Sequence, residues 1–440
     1  MGKAKDTSIF KEYCHYLHKY KEKYGEKTAV LMQVGSFYEI YAILNDEEQL
    51  GEVDIYHLCN NVMNISVAPK VNKILMGGFQ VPYSEKFIKT LIQSGYTVVL
   101  IEQTSEGSGA ERAFKEAISP GTFTEYTDNT TSYIMSVFIE QISQSFIAVG
   151  ISIMDVCTGN NFVYQIGEKL DPNYWKDELS RLINYYSPNE FIFQTKNFTL
   201  TKDDIINYWD INSSTLQINH YKEPSFETVH YQNEFLQKIF QFEIQVSPIE
   251  NLDFVHKHEM RNSYVYLLQY VYEHNESILK NIQAPEKIND IHHMSLTSNS
   301  VRQLNVVNNY SYFKGKNESL YSICNECGFV GGQRLLKERL LYPSINEDVL
   351  NKRYARLDAC IENDFYKQLL PNISKLTDTE RSLRKMARGE ITTEQFLNTK
   401  LSYDFIVRLL DTFKTNNSLV ELYSEYSDNL DIFIKFYSEI

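Results

Sequence analysis

Phe37 and Glu39 stand two residues apart, directly after Gly35-Ser36. Side chains alternate along a strand, so the ring and the carboxylate would project to the same side. Alone, the pair is ordinary, because an aromatic and an acid two apart are common on half-exposed strands. Cys324 and Cys327 form the chain's CxxC pair. No second pair follows, and the surrounding sequence reads as helix, so both are expected on one buried helix face and no metal is expected. Gly315-Lys316 lacks the preceding glycine of a phosphate-binding loop and is followed by Asn317, so no GxxxxGK[ST] sequence is present.

The elements that would position these residues fall into three regions. A helix is predicted over 8–24, with Ile9, Phe10, Tyr13, Leu17 and Tyr20 on one face, Thr7 as N-cap and Gly25 as stop. Strands are predicted at 28–34, 74–79 and 96–103. A helix opened by Ser84 carries Phe87, Ile88, Leu91 and Ile92 inward. A polar, threonine-rich stretch at 122–131 suits a linker. Beyond it come an apolar strand at 146–156, a hairpin partner at 161–166, a helix with Trp175, Leu179, Leu182 and Ile183, and a strand at 190–194. From about His258 the spacing turns helical, notably at 334–341, 350–361 and 382–388, with Pro285, Pro343 and Pro371 as interruptions. The fold class is therefore α/β plus all-α: a small mixed α/β domain, a second α/β domain and an elongated helical body.

A chain of 440 residues, 43% apolar, can build two or three cores. It holds no run of eighteen apolar residues, so no membrane partner is expected. Six scattered cysteines fit a reduced, intracellular setting. The formal charge of −14 is uneven: residues 1–125 carry −3, residues 126–260 carry −10 and residues 261–440 carry −1. The flanking regions are near neutral, which leaves room for a local basic face, with Lys19, Lys21 and Lys23 as candidates.

Several segments in order carry a resemblance. Leu31-Met32-Gln33-Val34-Gly35-Ser36-Phe37-Tyr38-Glu39-Ile40-Tyr41 is similar to the mismatch-reading strand of the MutS family of DNA mismatch repair proteins. Met76-Gly77-Gly78-Phe79-Gln80-Val81-Pro82-Tyr83, Val98-Val99-Leu100-Ile101-Glu102-Gln103 and Ser119-Pro120-Gly121-Thr122 resemble the landmarks that follow it. Asp155-Val156-Cys157-Thr158-Gly159 and Ser187-Pro188-Asn189-Glu190 look like connector segments. Gly331-Gly332-Gln333-Arg334-Leu335-Leu336 and Asp378-Thr379-Glu380-Arg381 look like core helices. Gln33 and Ser36 depart from the family, which commonly has arginine and aspartate there.

The resemblance implies a mismatch-binding domain at 1–125, an RNase H-like α/β connector at 126–257 and an incomplete, elongated helical core/lever domain at 258–440. It implies a DNA-contacting set of Phe37, Glu39, Gly35, Gln33 and Ser36, with Phe37 as a minor-groove wedge and Glu39 as a hydrogen-bond acceptor. The partner would be mismatched or bulged double-stranded DNA, with downstream repair proteins and a homodimer formed mostly through absent domains. No cofactor is expected in this chain; ATP and Mg belong to the family's carboxy-terminal ATPase, whose phosphate loop these residues lack. The implied setting is a DNA-containing intracellular compartment. Two other readings compete. One is an RNase H-like nuclease, which needs several carboxylates around two metal ions, whereas Asp155 has no evident second and third partner. The other is an acidic interaction scaffold that has lost DNA binding.

Overall fold

The computed structural model of the chain describes residues 2–44, 49–70, 73–105, 110–125, 131–143, 146–167, 171, 173–209, 218–220, 224–243, 246–288, 293–294, 296–307, 318–416, 419–421, 423–424, 430 and 432–435. The Gly315-Lys316 pair lies outside them. Among the described residues no helix is long and apolar enough to cross a membrane.

The first helix, α1 (Gly2–Tyr24), starts before Thr7, so Thr7 sits inside it and is not its N-cap. Gly25 ends it in the left-handed region at φ +93. Its stripe of Phe10, Tyr13, Leu17 and Tyr20 is buried against a seven-stranded sheet. That sheet contains β1 (Thr28–Val34), β2 (Phe37–Leu44), β3 (Gln49–Gly51), β4 (Ala68–Pro69), β5 (Ile74–Gln80), β6 (Thr97–Gln103) and β7 (Arg112–Ile118). Its order is β4-β5-β2-β1-β6-β7, with β3 paired to β2. β1 runs parallel to β6 and antiparallel to β2. The helix α2 (Ser84–Gln93) buries Ile88, Leu91 and Ile92, and its Phe87 stacks on Phe79 of β5, 4.3 Å between ring centres. The hairpin that presents Phe37 is thus central in the sheet.

A second sheet is built from β8 (Tyr133–Gln141), β9 (Ile147–Asp155), β10 (Asn161–Ile166), β11 (Glu190–Lys196), β12 (Ile218–His220) and β13 (Glu286–Lys287), in the order β12-β11-β8-β9-β10-β13. β8, β9 and β10 are antiparallel neighbours, while β11 and β12 run parallel to β8 on its other side. The sheet is apolar on both faces. Met135, Val137 and Ile139 pack with Trp175, Leu179 and Leu182 of α3 (Tyr174–Tyr186) and with Trp209 of α4 (Lys202–Trp209). Ile134 and Phe138 face the other way, toward α5 (Val229–Phe240), the short α6 (Pro248–Asn251) and α7 (His258–His274). The approach of α7 is close. A Cβ on Gly150 would come within 2.0 Å of the Glu259 backbone, and Ser152 and Ser263 share a 2.6 Å hydrogen bond across the contact. Helical spacing begins at 258 as expected, but this helix packs into the core of the second sheet.

The remaining elements are α8 (Ser298–Gln303), α9 (Leu320–Cys324), α10 (Val330–Leu341), α11 (Glu347–Ile361), α12 (Tyr366–Ile373), α13 (Thr379–Arg388) and α14 (Thr393–Phe413). Pro371, expected to interrupt, lies inside α12. Its missing N–H would have donated four residues back, toward the Lys367 carbonyl, so the helix runs through the proline at the cost of one ladder donor. Helix α9 stops at Cys324, where Asn325 caps it in a non-helical conformation. Cys324 is exposed and Cys327 lies beyond the cap, which corrects the expectation of two buried cysteines on one helix face. The chain thus combines a mixed α/β front, a second mixed sheet and a helical portion.

Candidate nucleic-acid interface

β1 and β2 form a hairpin in which Val34 pairs with Phe37 across the two-residue turn Gly35-Ser36. Gly35 has φ +64, the left-handed conformation such a tight turn needs at its first position. The turn is braced on three sides. The Gln33 side-chain N–H donates to the Gly35 carbonyl at 3.1 Å, and its Oε1 accepts from the Gln103 backbone N–H at 3.1 Å. The Gly35 N–H donates in turn to Gln103 Oε1 at 3.2 Å. The Ser36 carbonyl accepts from the Val81 N–H at 2.9 Å. Below, Arg112 Nε donates to the Gln33 carbonyl at 2.7 Å while its guanidinium pairs with Glu12 at 2.8 Å. Gln33, the departure from the family's arginine, therefore clamps the turn.

Phe37 is the first residue of β2 and is 40% exposed. Tyr38 points to the opposite face, where its hydroxyl donates to Glu102 at 2.6 Å. Glu39 and Tyr41 return to the face of Phe37 by strand alternation. Glu39 is only 8% exposed, and its Oε2 accepts from the Tyr41 hydroxyl and from Lys70 Nζ, the latter at 3.2 Å. The Lys70 ammonium also lies 5.1 Å from the Tyr41 ring centre. Tyr41 is itself pinned edge-on to Tyr13 of α1. Gly78 stands opposite Glu39 on β5, and a Cβ there would come within 3.3 Å of Glu39 Cγ. The fold therefore brings Gln33, Gly35, Ser36 and Phe37 together at one hairpin tip and sets Glu39 just behind it, with its carboxylate held. Lys70, Gln103 and Arg112 complete the site and were not singled out from the sequence. Gln103 ends a segment that the resemblance covers. Lys70 reaches Glu39 through the pairing of β4 with β5 and of β5 with β2, which no local spacing records.

The carboxylates of the second sheet serve joints. Asp155 ends β9 and accepts from the Cys157 N–H and the Thr158 hydroxyl, both at 2.9 Å, and burial raises its pKa. Glu190 opens β11 fully buried, accepting from Ser119 at 2.5 Å, the Gly121 N–H at 3.2 Å and Tyr270 at 2.6 Å. Burial pushes its pKa up to about 7 against the opposing pull of these three donors. Among the described residues, no three His, Cys, Asp or Glu side chains are grouped to hold a metal ion.

Comparison with known proteins places this geometry. The family model of MutS domain I matches residues 13–127, the part that contains the hairpin, and that of MutS domain III matches residues 299–434. The chain belongs to the MutS family. A mutS homologue of Acanthamoeba polyphaga mimivirus, named as a DNA mismatch repair protein, is 28% identical over 94% of this chain and 40% of its own length. The MutS proteins of Caldanaerobacter subterraneus and Borreliella burgdorferi are 26% and 24% identical, over 98% and 97% of this chain and 46% and 45% of their own. The chain thus spans less than half the length of these relatives.

Proposed function

We propose that this chain reads mismatched or bulged duplex DNA, with Phe37 as a wedge and Glu39 as the acceptor beside it. The observation that carries the reading is the exposed Phe37 on a hairpin tip whose turn is clamped by Gln33 and Gln103. An aromatic pushed into the minor groove unstacks a base step and kinks the duplex, which costs a few kcal/mol. A mismatched step is already poorly stacked, so the same kink costs less there. A mobile side chain would spend part of that difference on its own ordering; one at a braced tip does not. Glu39 then accepts from the displaced base, while phosphates of an unkinked duplex repel it.

The division at about 125 is carried into this reading, with 1–125 as the mismatch-binding part. The boundary expected at 257 is not kept, because α7 packs in the core of the second sheet and β13 pairs with β10 in it. An RNase H-like connector is supported by strand order: three antiparallel neighbours (β8, β9, β10), then two parallel strands (β11, β12) on the far side of the first. Asp155 and Glu190 hold turns and segment junctions, which favours a connector without catalysis. Without a phosphate-binding loop sequence, these residues are not expected to bind ATP at micromolar concentration.

The test is competition between single-mismatch and matched duplexes for the wild-type chain and Phe37→Ala. The wild type is expected to prefer the mismatch by at least about tenfold, roughly 1.4 kcal/mol, and Phe37→Ala to lose that preference. An unchanged ratio would make Phe37 a packed aromatic and favour a scaffold.

A further inference from the structure

We propose that Lys70 is a specificity-determining residue: its ammonium neutralises Glu39 and thereby limits how strongly the hairpin tip rejects undistorted DNA. The inference rests on the wedge reading above and deepens it. Glu39 is the carboxylate immediately behind the exposed Phe37, and its Oε2 is held by Lys70 at 3.2 Å. Lys70 is anchored where it stands. Its backbone N–H donates to the carbonyl of Ile74, the first residue of β5, and its ammonium sits over the Tyr41 ring. The lysine side chain is 28% exposed and the glutamate side chain 10%, so the cation forms the solvent side of the pair.

Two consequences follow from this order. An approaching phosphate meets an ion pair and not a bare carboxylate, so the repulsion that would disfavour matched duplex is partly cancelled. A displaced base with a donor can replace Lys70 on Glu39, releasing the ammonium toward the backbone, whereas a stacked matched pair cannot. Removing Lys70 therefore withdraws an attraction from both duplexes but adds an uncompensated repulsion mainly for the matched one. Loss of a lysine from the DNA-facing side should weaken binding and sharpen discrimination together. At contact distances in water this repulsion corresponds to about fivefold in affinity. Tyr41 remains on Glu39 when Lys70 is removed, so the carboxylate keeps one buried donor.

Titrations of labelled matched and single-mismatch duplexes with the 440-residue chain test this, using wild type, Lys70→Met, Lys70→Arg, Glu39→Gln and the double variant Lys70→Met/Glu39→Gln. Lys70→Met is expected to raise the mismatch-to-match affinity ratio about fivefold. Lys70→Arg should restore the wild-type ratio, and in the Glu39→Gln background Lys70→Met should leave the ratio unchanged. Equal weakening of both duplexes by Lys70→Met, with or without Glu39, would make Lys70 an ordinary phosphate contact and overturn the proposal. So would no change at all. If the wild type prefers the mismatch and loses this preference in Phe37→Ala while Lys70→Met changes nothing, only the Lys70 proposal falls. If no variant separates the two duplexes, the wedge reading falls with it.

Discussion

Glu190 shows how much one side chain can hold together: the resemblance marks the segment it ends, but no local spacing tells which parts of the chain its carboxylate joins. Its two oxygens join the 119–121 segment, the start of β11 and Tyr270 of α7. Burial raises its pKa from 4.5 to about 7, so folding favours the protonated acid. The stabilisation from this group is then fully present below pH 4.5 and is lost as pH rises through about 7. The difference is on the order of 3 kcal/mol, taking about 1.4 kcal/mol per pKa unit. Glu190→Gln keeps an uncharged acceptor in place. It is expected to match the wild type near pH 5 and to melt higher than it near pH 8.5. A melting difference that does not vary with pH would mean that Glu190 does not titrate in this range. Phe37 is the opposite case. Strand alternation put it on one side with Glu39 and the family resemblance singled it out, while the strand β2 that it opens and the turn before it were not among the predicted elements. The hold on Glu39 was not legible, since Lys70 lies 31 residues away and meets it only through strand pairing.

At the scale of elements, the turn Asp155–Gly159 and helix α13 form a joint whose glycine does two things. Gly159 has φ +82, and a Cβ there would come within 2.8 Å of the Arg384 side chain. Arg384 is buried and donates to the carbonyls of Lys280 and Asn281, at 3.0 and 3.3 Å, and to that of Ile278. Its pKa is lowered to about 10 by burial and by the neighbouring Arg388. Gly159→Ala must therefore meet backbone strain and displace a hydrogen-bonded guanidinium, together about 2–4 kcal/mol. Gly25 has a similar φ of +93 with open space around it, so Gly25→Ala should cost only the strain, about 1–2 kcal/mol. Urea denaturation of the two variants separates the terms, and equal losses would remove the Arg384 contact from the explanation. The asymmetry also marks what periodicity can and cannot convey. The helices at 334–341, 350–361 and 382–388 were readable because three-and-four spacing is local. Strand β8 went unread beside the polar linker, although its apolar run belongs to a sheet covered on both faces. For α7, spacing indicated a helix but not which core it would enter.

For the whole molecule, the proposed DNA-reading role makes the distribution of charge a test of where a duplex would lie, and here the structure redirects an expectation. By charge pattern, Lys19, Lys21 and Lys23 of α1 are the candidates to face phosphate. Lys21 pairs with Glu52 at 3.1 Å and Lys23 with Glu273 of α7 at 2.9 Å, while Lys19 lies 5.2 Å from the Tyr20 ring centre. Tyr24, at the end of α1, meets the ring of His274 of α7, 4.8 Å between centres. The carboxy-terminal end of α1 is thus docked on the second unit, and Lys21 and Lys23 are engaged within the chain. The acidic region 126–260 presents Asp203 and Asp204 on exposed positions of α4, whereas Asp210 lies outside the described residues. Removing a side chain that neutralises one phosphate should reduce the slope of log affinity against log salt by about 0.9. Lys21→Gln with Lys23→Gln should therefore leave that slope unchanged within about half this amount, while lowering thermal stability through the broken α1–α7 pair. Asp203→Asn with Asp204→Asn should also leave the slope nearly unchanged, because charges beyond roughly 8–10 Å from the DNA are screened at physiological ionic strength. A slope change worth one full phosphate from the lysine pair would mean that the duplex runs along α1. The same change from the aspartates would put it beside α4, and in either case the hairpin tip at Phe37 would not be the centre of the interface.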